Sequence, residues 1–229
     1  MAHRIGNCGF TICITMGYAR RDGTTMTIHV HSLSCSFHSR PVVSNLTANF
    51  PSACVTALTG ASGSGKTTLL NLIGGLIQPD SGSITFKGEN IAGMSSRARR
   101  KFRRENVGYL FQDYGLVPDL SVTENIKIGA PDASSQDIAE TLGQVGLPGA
   151  EKRKASELSG GEQQRVALSR LILANPPIVL ADEPTGALDT ENSRVVLRHL
   201  RQFARGGAVV VVATHSSYIA DNADRVVML

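Results

Sequence analysis

The sequence predicts an α/β fold in which helices cover a buried parallel sheet. Short apolar segments rich in Val and Ile alternate with helical patterns along the chain, which is typical of such a sheet. A long stretch between two of the predicted strands has helical patterns and no strand pattern, which predicts an inserted helical subdomain. Near the beginning, apolar and polar residues alternate, which predicts an additional antiparallel sheet.

Each element follows from its local pattern. Strands of the parallel sheet are expected at residues 54–59, 107–111, 178–181, 208–213 and 225–229, with helices at 66–76, 161–173 and 191–203. The helical subdomain is expected at about residues 113–173, with helices over 121–128 and 136–145. Residues 28–37, 46–50 and 84–86 are expected to form the antiparallel sheet.

Length and charge limit the classes of function. A chain of 229 residues can bury a proper core, and no run reaches the roughly 18 apolar residues of a membrane-spanning helix, so a transport role needs a membrane partner. The net charge of +4 is interpreted as a contribution to solubility. A basic run at residues 97–104 is interpreted as a solvated helix face, with a nucleic-acid patch as the alternative. No aromatic platform accompanies it, so no nucleic acid is expected as a partner.

The cysteines and the first residues complete this outline. The four cysteines lack the spacing of a zinc site, so reduced thiols and a cytosolic location are expected; they are Cys8, Cys13, Cys35 and Cys54. Residues 1–25 hold a weakly apolar stretch flanked by basic residues, for which a secretory signal is one interpretation. Met26 directly precedes the first strand pattern, so a disordered tail or a misassigned start is preferred, and the domain is expected at residues 26–229.

The segment GASGSGKT, residues 60–67, follows a predicted strand and opens a predicted helix. This is the context of a P-loop, in which glycines let backbone N–H groups converge on phosphates. Lys66 supplies a positive charge to the β- and γ-phosphates, and Thr67 offers a hydroxyl to Mg²⁺. The sequence therefore predicts a P-loop NTPase core. The candidate phosphate-binding residues are Gly60, Ala61, Ser62, Gly63, Ser64, Gly65, Lys66, Thr67 and Thr68.

Two carboxylates, Asp182 and Glu183, directly follow the strand pattern at residues 178–181. They are expected at the carboxyl edge of the sheet, where α/β proteins bind ligands. Because adjacent residues point in opposite directions, Asp182 is expected to reach Mg²⁺ through its water shell, and Glu183 to orient or deprotonate an attacking water. A helix N-terminus that favours acidic residues would explain one carboxylate but not both.

The octapeptide LSGGEQQR, residues 158–165, is expected to form an exposed turn into a helix that begins near Glu162. Its free N–H groups have no phosphate of their own in this chain, so they need an anion from elsewhere. Together with the P-loop, this octapeptide resembles that of the ATP-binding subunits of ATP-binding cassette (ABC) transporters. The resemblance runs from about residue 26 to the C-terminus and implies an ATPase with ATP and Mg²⁺ as ligands.

The resemblance also implies a dimer of two copies arranged head to tail. In the family, the γ-phosphate of ATP on one copy binds the octapeptide of the other, which here assigns that contact to Ser159, Gly160, Gly161 and Glu162. Asp189 matches the loop that crosses this interface.

Three further residues take roles from the resemblance alone. His215 matches the residue that contacts the γ-phosphate and holds the water-activating carboxylate in place. Gln112 matches the glutamine that reaches Mg²⁺ and the attacking water. Phe37 stands where family members stack an aromatic ring on adenine, and a position in the hydrophobic core is the alternative.

Residues 111–117 and 181–189 resemble the branch of macrolide exporters, lipoprotein-release complexes and bacteriocin-type peptide exporters. This resemblance implies a separate permease and a place at the cytoplasmic face of the cell membrane. Tyr114 and Leu116 belong to an apolar cluster that either packs the subdomain or forms a groove for the permease. Two alternatives stay open: a regulator of an envelope or cell-division partner, and an ABC ATPase that acts on DNA or ribosomes, whose long coiled-coil insertion or second cassette this chain lacks.

Overall fold

The computed structural model describes residues 26–185 and 190–229, so the predictions for residues 1–25 and for Asp189 lie outside the described residues. The strands are β1 (Thr27–Phe37), β2 (Arg40–Pro51), β3 (Cys54–Thr59), β4 (Ser81–Phe86), β5 (Glu89–Asn90), β6 (Val107–Leu110), β7 (Ile178–Asp182), β8 (Val209–Ala213) and β9 (Arg225–Met228). The helices are α1 (Lys66–Ile73), α2 (Ser96–Asn106), α3 (Val122–Gly129), α4 (Ser135–Gln144), α5 (Gly160–Ala174), α6 (Thr190–Arg205) and α7 (Ser217–Asp221).

Five strands form the predicted parallel sheet, in the order β6-β7-β8-β3-β9. Their pairings are all parallel, and β7 lies beside β8 from Ile178 opposite Val209 to Asp182 opposite Ala213. Every residue of β7 and β8 is buried, which explains why their sequences are almost entirely apolar. The five strands expected from the sequence are confirmed to within one residue at each end.

Alternate residues of the central strands face two separate hydrophobic clusters. On β8, Val209 and Val211 join a cluster that contains the buried side chains of α1 and of the antiparallel sheet. Val210 and Val212 join the other cluster, which contains the buried side chains of α3, α4, α5 and α6. This period of two is that of a strand covered on both faces. The parallel sheet is therefore the middle of three layers.

The second sheet is antiparallel, with the order β2-β1-β4-β5, and it confirms the sheet expected from the alternation at residues 28–37. Ile28, Val30 and Leu33 of β1 are at most 1% exposed. The register with β2 shifts between Val30 and Leu33, so a strict alternation is interrupted there. β2 begins at Arg40, six residues before the expected start at residue 46. The expected start was too late because the first part of the strand is largely exposed and has no clear apolar pattern.

Between β6 and β7, a part of the chain that the structure describes in full, α3, α4 and α5 form and no strand does. α5 packs against both α3 and α4. Ser121, Ser134 and Ser159 cap the three helices, and each accepts the N–H of the residue three positions later. The helices expected here are thus present. Their division from the core as a subdomain at about residues 113–173 stays a prediction.

Two other helices show how local sequence sets their limits. α1 ends at Ile73 rather than at residue 76, because Gly74 and Gly75 follow and Gly75 has a φ angle of +64°. α2 carries the basic run and buries only Phe102, as expected for a solvated helix face. Among the described residues, no helix combines the length and the apolar character that crossing a lipid bilayer requires.

Candidate functional site

The loop between β3 and α1 turns at three glycines. Gly60, Gly63 and Gly65 have φ angles of +146°, +77° and +97°, a region that residues with a side chain seldom adopt. At Gly65, a Cβ atom would also lie 2.8 Å from the carbonyl oxygen of Val42 on β2. Glycine is therefore needed for the backbone of the loop and for the close approach of β2. A loop of this kind at the start of a helix suits phosphate binding.

The ammonium group of Lys66, the first residue of α1, is buried among uncharged acceptors. Its Nζ donates to the carbonyl oxygens of Gly60 and Ala61, both at 3.0 Å. It also lies 3.2 Å from Nε2 of His215. An ammonium group only donates, so that nitrogen is the acceptor in this contact. None of these three hydrogen-bond partners is a carboxylate, so the ammonium group of Lys66 can still attract a phosphate.

Thr67 and Asp182 meet beside Lys66. The hydroxyl of Thr67 donates to Oδ1 of Asp182 at 3.1 Å. Burial raises the pKa of the Asp182 carboxyl above its usual value, while the Thr67 hydrogen bond and the charge of Lys66 lower it. A buried carboxylate and a hydroxyl suit Mg²⁺, which binds few protein oxygens alongside phosphates and water. Within residues 26–185 and 190–229, no three His, Cys, Asp or Glu side chains gather as a metal cluster of their own.

Glu183 follows Asp182 in a left-handed backbone conformation, with a φ angle of +45°. Its Oε2 accepts the backbone N–H of His215 at 3.1 Å. Its Oε1 lies 3.5 Å from Nε2 of His215, and it is buried without a hydrogen-bond partner in the described structure. A non-glycine residue in this conformation costs about 1–2 kcal/mol, and such strain is often found at functional sites. Oε1 is therefore an acceptor available to a water or a ligand.

One cavity, the Lys66 cavity, joins most of these groups in a volume of about 480 Å³, within the range of ligand-binding sites. The predicted site residues that line it are Ser62, Gly63, Gly65, Lys66, Thr67, Thr68, Gln112, Glu183 and His215. Val42 of β2 completes the lining, and no sequence pattern indicated it. Gln112 is exposed two residues after the end of β6, so its amide is accessible from the cavity.

The remaining loop residues support the cavity from outside it. Gly60 and Ala61 hold Lys66 through their carbonyl oxygens. The hydroxyl of Ser64 is buried and has no hydrogen-bond partner among the described residues. Phe37, at the end of β1, is 45% exposed, so it is not a core residue in this structure. Its stacking on adenine stays a prediction.

The octapeptide leads into and begins α5, and none of its residues lines the Lys66 cavity. Ser159 precedes the helix, and its Oγ accepts the N–H of Glu162 at 3.4 Å. In return, Oε2 of Glu162 accepts both the N–H and the hydroxyl of Ser159, each at 2.8 Å. Gly160 and Gly161 form the first turn. None of these four residues lines the Lys66 cavity, so they do not complete that site within one chain.

Sequence reasoning missed a charge next to the octapeptide. Nη1 of Arg153 donates to Oε1 of Glu162 at 2.7 Å. This hydrogen bond, with those from Ser159, lowers the pKa of Glu162 to about 2. Arg153 lies outside any motif, and no sequence signal indicates that it reaches Glu162.

Two side chains that the sequence did not single out fix the segment after Gln112. Arg170 of α5 donates to the carbonyl oxygens of Tyr114 and Gly115, at 3.0 and 2.8 Å. Oδ1 of the buried Asn125 on α3 accepts the N–H of Val117 at 2.7 Å. Nδ2 of Asn125 donates to the carbonyl oxygen of Val117 at 3.0 Å. The segment is therefore held by hydrogen bonds to α3 and α5.

The apolar cluster predicted on this segment divides between two environments. Tyr114 and Leu116 are partly buried and pack against the core, whereas Val117 is 42% exposed. A groove of about 940 Å³ lies between α2 and α3. Ile128, which is 57% exposed, lines both this α2–α3 groove and an adjoining cavity of about 380 Å³ that reaches Gly115.

A glycine-rich loop, a buried lysine and two acids at the carboxyl edge of a parallel sheet are the parts of a P-loop nucleoside triphosphatase. The model of one protein family, described as ABC transporter, matches residues 43–186. The match covers more than half of the chain, which therefore belongs to the ABC transporter family.

Two relatives have informative names. The lipoprotein-releasing system ATP-binding protein LolD 1 of Rhodopirellula baltica is 44% identical over 172 residues, which are 72% of this chain and 75% of that protein. The macrolide export ATP-binding/permease protein MacB of Escherichia coli is 41% identical over 197 residues, which are 83% of this chain and 30% of MacB. The chain thus spans about a third of the length of several relatives that it matches.

The bacterial ABC transporter cassette MJ0796 has a similar structure. Its dimeric structure superimposes with a TM-score of 0.81 and 30% identity, over 88% of this chain and 94% of that one. A post-hydrolysis state of the same cassette, bound to ADP and Pi, gives a TM-score of 0.79 with 29% identity and the same coverage. Family and fold thus agree with the ABC ATPase that the sequence predicted.

Proposed function

We propose that this ATPase drives a separate membrane permease that exports or extracts a peptide, a lipoprotein or a drug-like molecule. The names of two relatives support this class of substrate, since one belongs to a lipoprotein-releasing system and the other exports macrolides. The ATPase then lies at the cytoplasmic face of the cell membrane, where the permease holds it. The permease, rather than this chain, contacts the transported molecule.

ATP binds in the Lys66 cavity, with its β- and γ-phosphates at the glycine-rich loop. Thr67, Asp182 and Gln112 would hold Mg²⁺, which would neutralise charge on the phosphates. The hydrogen bond between Thr67 and Asp182 supports this assignment, because it already gathers a hydroxyl and a carboxylate beside Lys66. Gln112 lines the same cavity from the end of β6.

Glu183 acts on the attacking water. The observation that carries this proposal is the Oε1 atom of Glu183, which is buried and accepts no hydrogen bond from the described residues, on a side chain that lines the same cavity as Lys66. The water oxygen bonds to the γ-phosphorus as the bond to the β,γ-bridging oxygen breaks, which leaves ADP and phosphate. Glu183 orients that water and accepts its proton. The N–H of His215 holds the second carboxylate oxygen and so fixes the orientation of the carboxylate.

Glu183→Gln separates ATP binding from hydrolysis. The amide keeps the shape of the side chain but cannot take a proton from water, so turnover falls by about a hundredfold or more while ATP affinity changes little. Lys66→Ala removes a charged hydrogen-bond donor and weakens ATP binding by about tenfold or more. Isothermal titration calorimetry and a phosphate-release assay measure the two effects. Turnover at the wild-type rate in Glu183→Gln would contradict the role given to this residue.

A second copy of the chain completes the ATP site. The start of α5 offers helix N–H groups to an anion, and residues 159–162 lie outside the Lys66 cavity of their own chain. We assign the backbone N–H groups of this turn and the hydroxyl of Ser159 to the γ-phosphate held by the partner copy. The dimeric structure of the related cassette supports this arrangement. Asp189 is proposed to lie in the loop that crosses the interface.

The permease docks in the α2–α3 groove. The groove adjoins the cavity that reaches Gly115, three residues after Gln112, so a segment seated there contacts the chain close to the nucleotide. Ile128 supplies an exposed apolar side chain, and Arg100, Arg103 and Arg104 supply one charged wall. A permease segment bound in this groove would cover both the side chain of Ile128 and the charged wall.

A further inference from the structure

The start of α5 carries an acidic side chain where the proposed function requires a phosphate to bind. Glu162 lies in the first turn of the helix, and its Oε2 is 2.8 Å from both the nitrogen and the hydroxyl of Ser159. A negative charge near a helix N-terminus stabilises the helix by itself. It also repels any second anion that approaches the same N–H groups.

Arg153 balances this charge. Its Nη1 donates to Oε1 of Glu162 at 2.7 Å, and its Nη2 donates to the carbonyl oxygen of Glu157 at 3.1 Å. Two hydrogen bonds thus hold the guanidinium group in one place, although the side chain of Arg153 is 42% exposed. The main chain at this point is fixed independently, because the N–H of Arg153 donates to Ala150 at 3.0 Å.

The pair also affects the hydroxyl of Ser159. This hydroxyl has a single proton, which is donated to Oε2 of Glu162 in the absence of a phosphate. The guanidinium group of Arg153 stabilises the negative charge of the carboxylate and makes the carboxylate a weaker hydrogen-bond acceptor. This agrees with the lowered pKa of Glu162. The hydroxyl of Ser159 can then turn more easily towards another oxygen.

We propose that Arg153 is a positioning residue whose pairing with Glu162 lets the start of α5 receive the γ-phosphate of ATP bound to a second copy of the chain. The inference rests on the proposed function, in which that phosphate comes from the partner copy. Arg153 contacts Glu162 rather than the nucleotide, so it acts on dimer closure and leaves the Lys66 cavity of its own chain unchanged.

The test uses the full chain with Glu183→Gln, so that bound ATP is not consumed. Light scattering measures the ATP concentration that gives half-maximal dimer formation. Adding Arg153→Gln raises this concentration by up to about fivefold, because an exposed charge pair changes an equilibrium by up to about fivefold and the dimer takes up one ATP for each such helix end. Adding Glu162→Gln as well restores the parent value to within about twofold, since glutamine can still take part in the cap without a charge.

Three controls separate this role from a structural one. Arg104→Gln removes a more exposed arginine, 78% against 42% for Arg153, from a looser pair, 3.6 Å from Glu105, and leaves dimer formation unchanged. Arg153→Lys keeps the charge and most of the dimer formation. Added salt reduces the defect of Arg153→Gln, because it screens an exposed Glu162 charge.

The outcomes distinguish the inference from the function on which it rests. A Glu183→Gln parent that stays monomeric with ATP overturns both. A parent that dimerises while Arg153→Gln behaves like Arg104→Gln overturns the inference alone. A defect of Arg153→Gln that persists in the double variant also overturns it, because Arg153 then acts through its contact with Glu157 instead of through Glu162.

Discussion

Gly65 joins the phosphate-binding loop to α1, and two features require glycine at this position. Its φ angle is +97°, and an added Cβ atom would lie 2.8 Å from the backbone of Val42. Gly65→Ala therefore adds a clash with β2 to the cost of about 1–2 kcal/mol for a left-handed residue. We expect ATP affinity to fall by about tenfold or more and the melting temperature by several degrees, measured by nucleotide titration and calorimetry.

Gly63→Ala is the matched control for this variant. Gly63 also has a positive φ angle, +77°, but an added Cβ atom would meet nothing within 4 Å. It carries the backbone cost alone, so both losses should be clearly smaller. Equal losses in the two variants would show that the approach of β2 to Gly65 is unimportant.

At the scale of single residues, the sequence predicted those that stand at a fixed distance from a strand end. Lys66 and Asp182 are of this kind, since a strand followed by a loop or an acid is a local pattern. Arg153 and Arg170 were not predicted, because their partners depend on how distant segments pack. Arg170, for example, contacts Gly115 across 55 positions.

Among the secondary-structure elements, α3 provides the sharpest test of the permease site. Ile128 near its end is 57% exposed and lines the α2–α3 groove. Ile128→Asp places a charge there without disturbing the core, so we expect association with the permease to fall by about tenfold or more and basal ATPase activity to stay unchanged. A pull-down with the permease and a phosphate-release assay measure the two properties.

Val226→Asp is the control, because Val226 of β9 is also exposed, by 52%, and does not line the groove. Permease association should be unaffected by this change. If both variants retain the permease equally, the docking site does not include Ile128 of α3. Leu116 is less suitable for this test, since it packs against the core and a charge there would destabilise the subunit itself.

At the scale of elements, the central strands β3, β7 and β8 were predicted to within one residue because they are almost fully buried and have largely apolar sequences. β2 was predicted too short because its first part, beginning at Arg40, is largely exposed. Exposed strand positions accept many residue types, so they leave no recognisable apolar pattern in the sequence.

For the whole molecule, the three layers were predictable and the order of the strands was not. Local patterns indicated which segments are strands, but the order β6-β7-β8-β3-β9 depends on pairings between segments far apart in the sequence. β3, for instance, pairs with β8 and β9. That order brings Lys66 of α1 and Glu183 after β7 to one cavity.

The central claim is that two copies of this chain enclose ATP between the Lys66 cavity of one and the octapeptide of the other. The most direct test is the mass of Glu183→Gln with ATP, measured by light scattering together with the number of nucleotides bound. We predict a dimer that holds two ATP molecules, and a monomer when Lys66→Ala is added. A Glu183→Gln protein that binds ATP and remains a monomer at every concentration would contradict the claim.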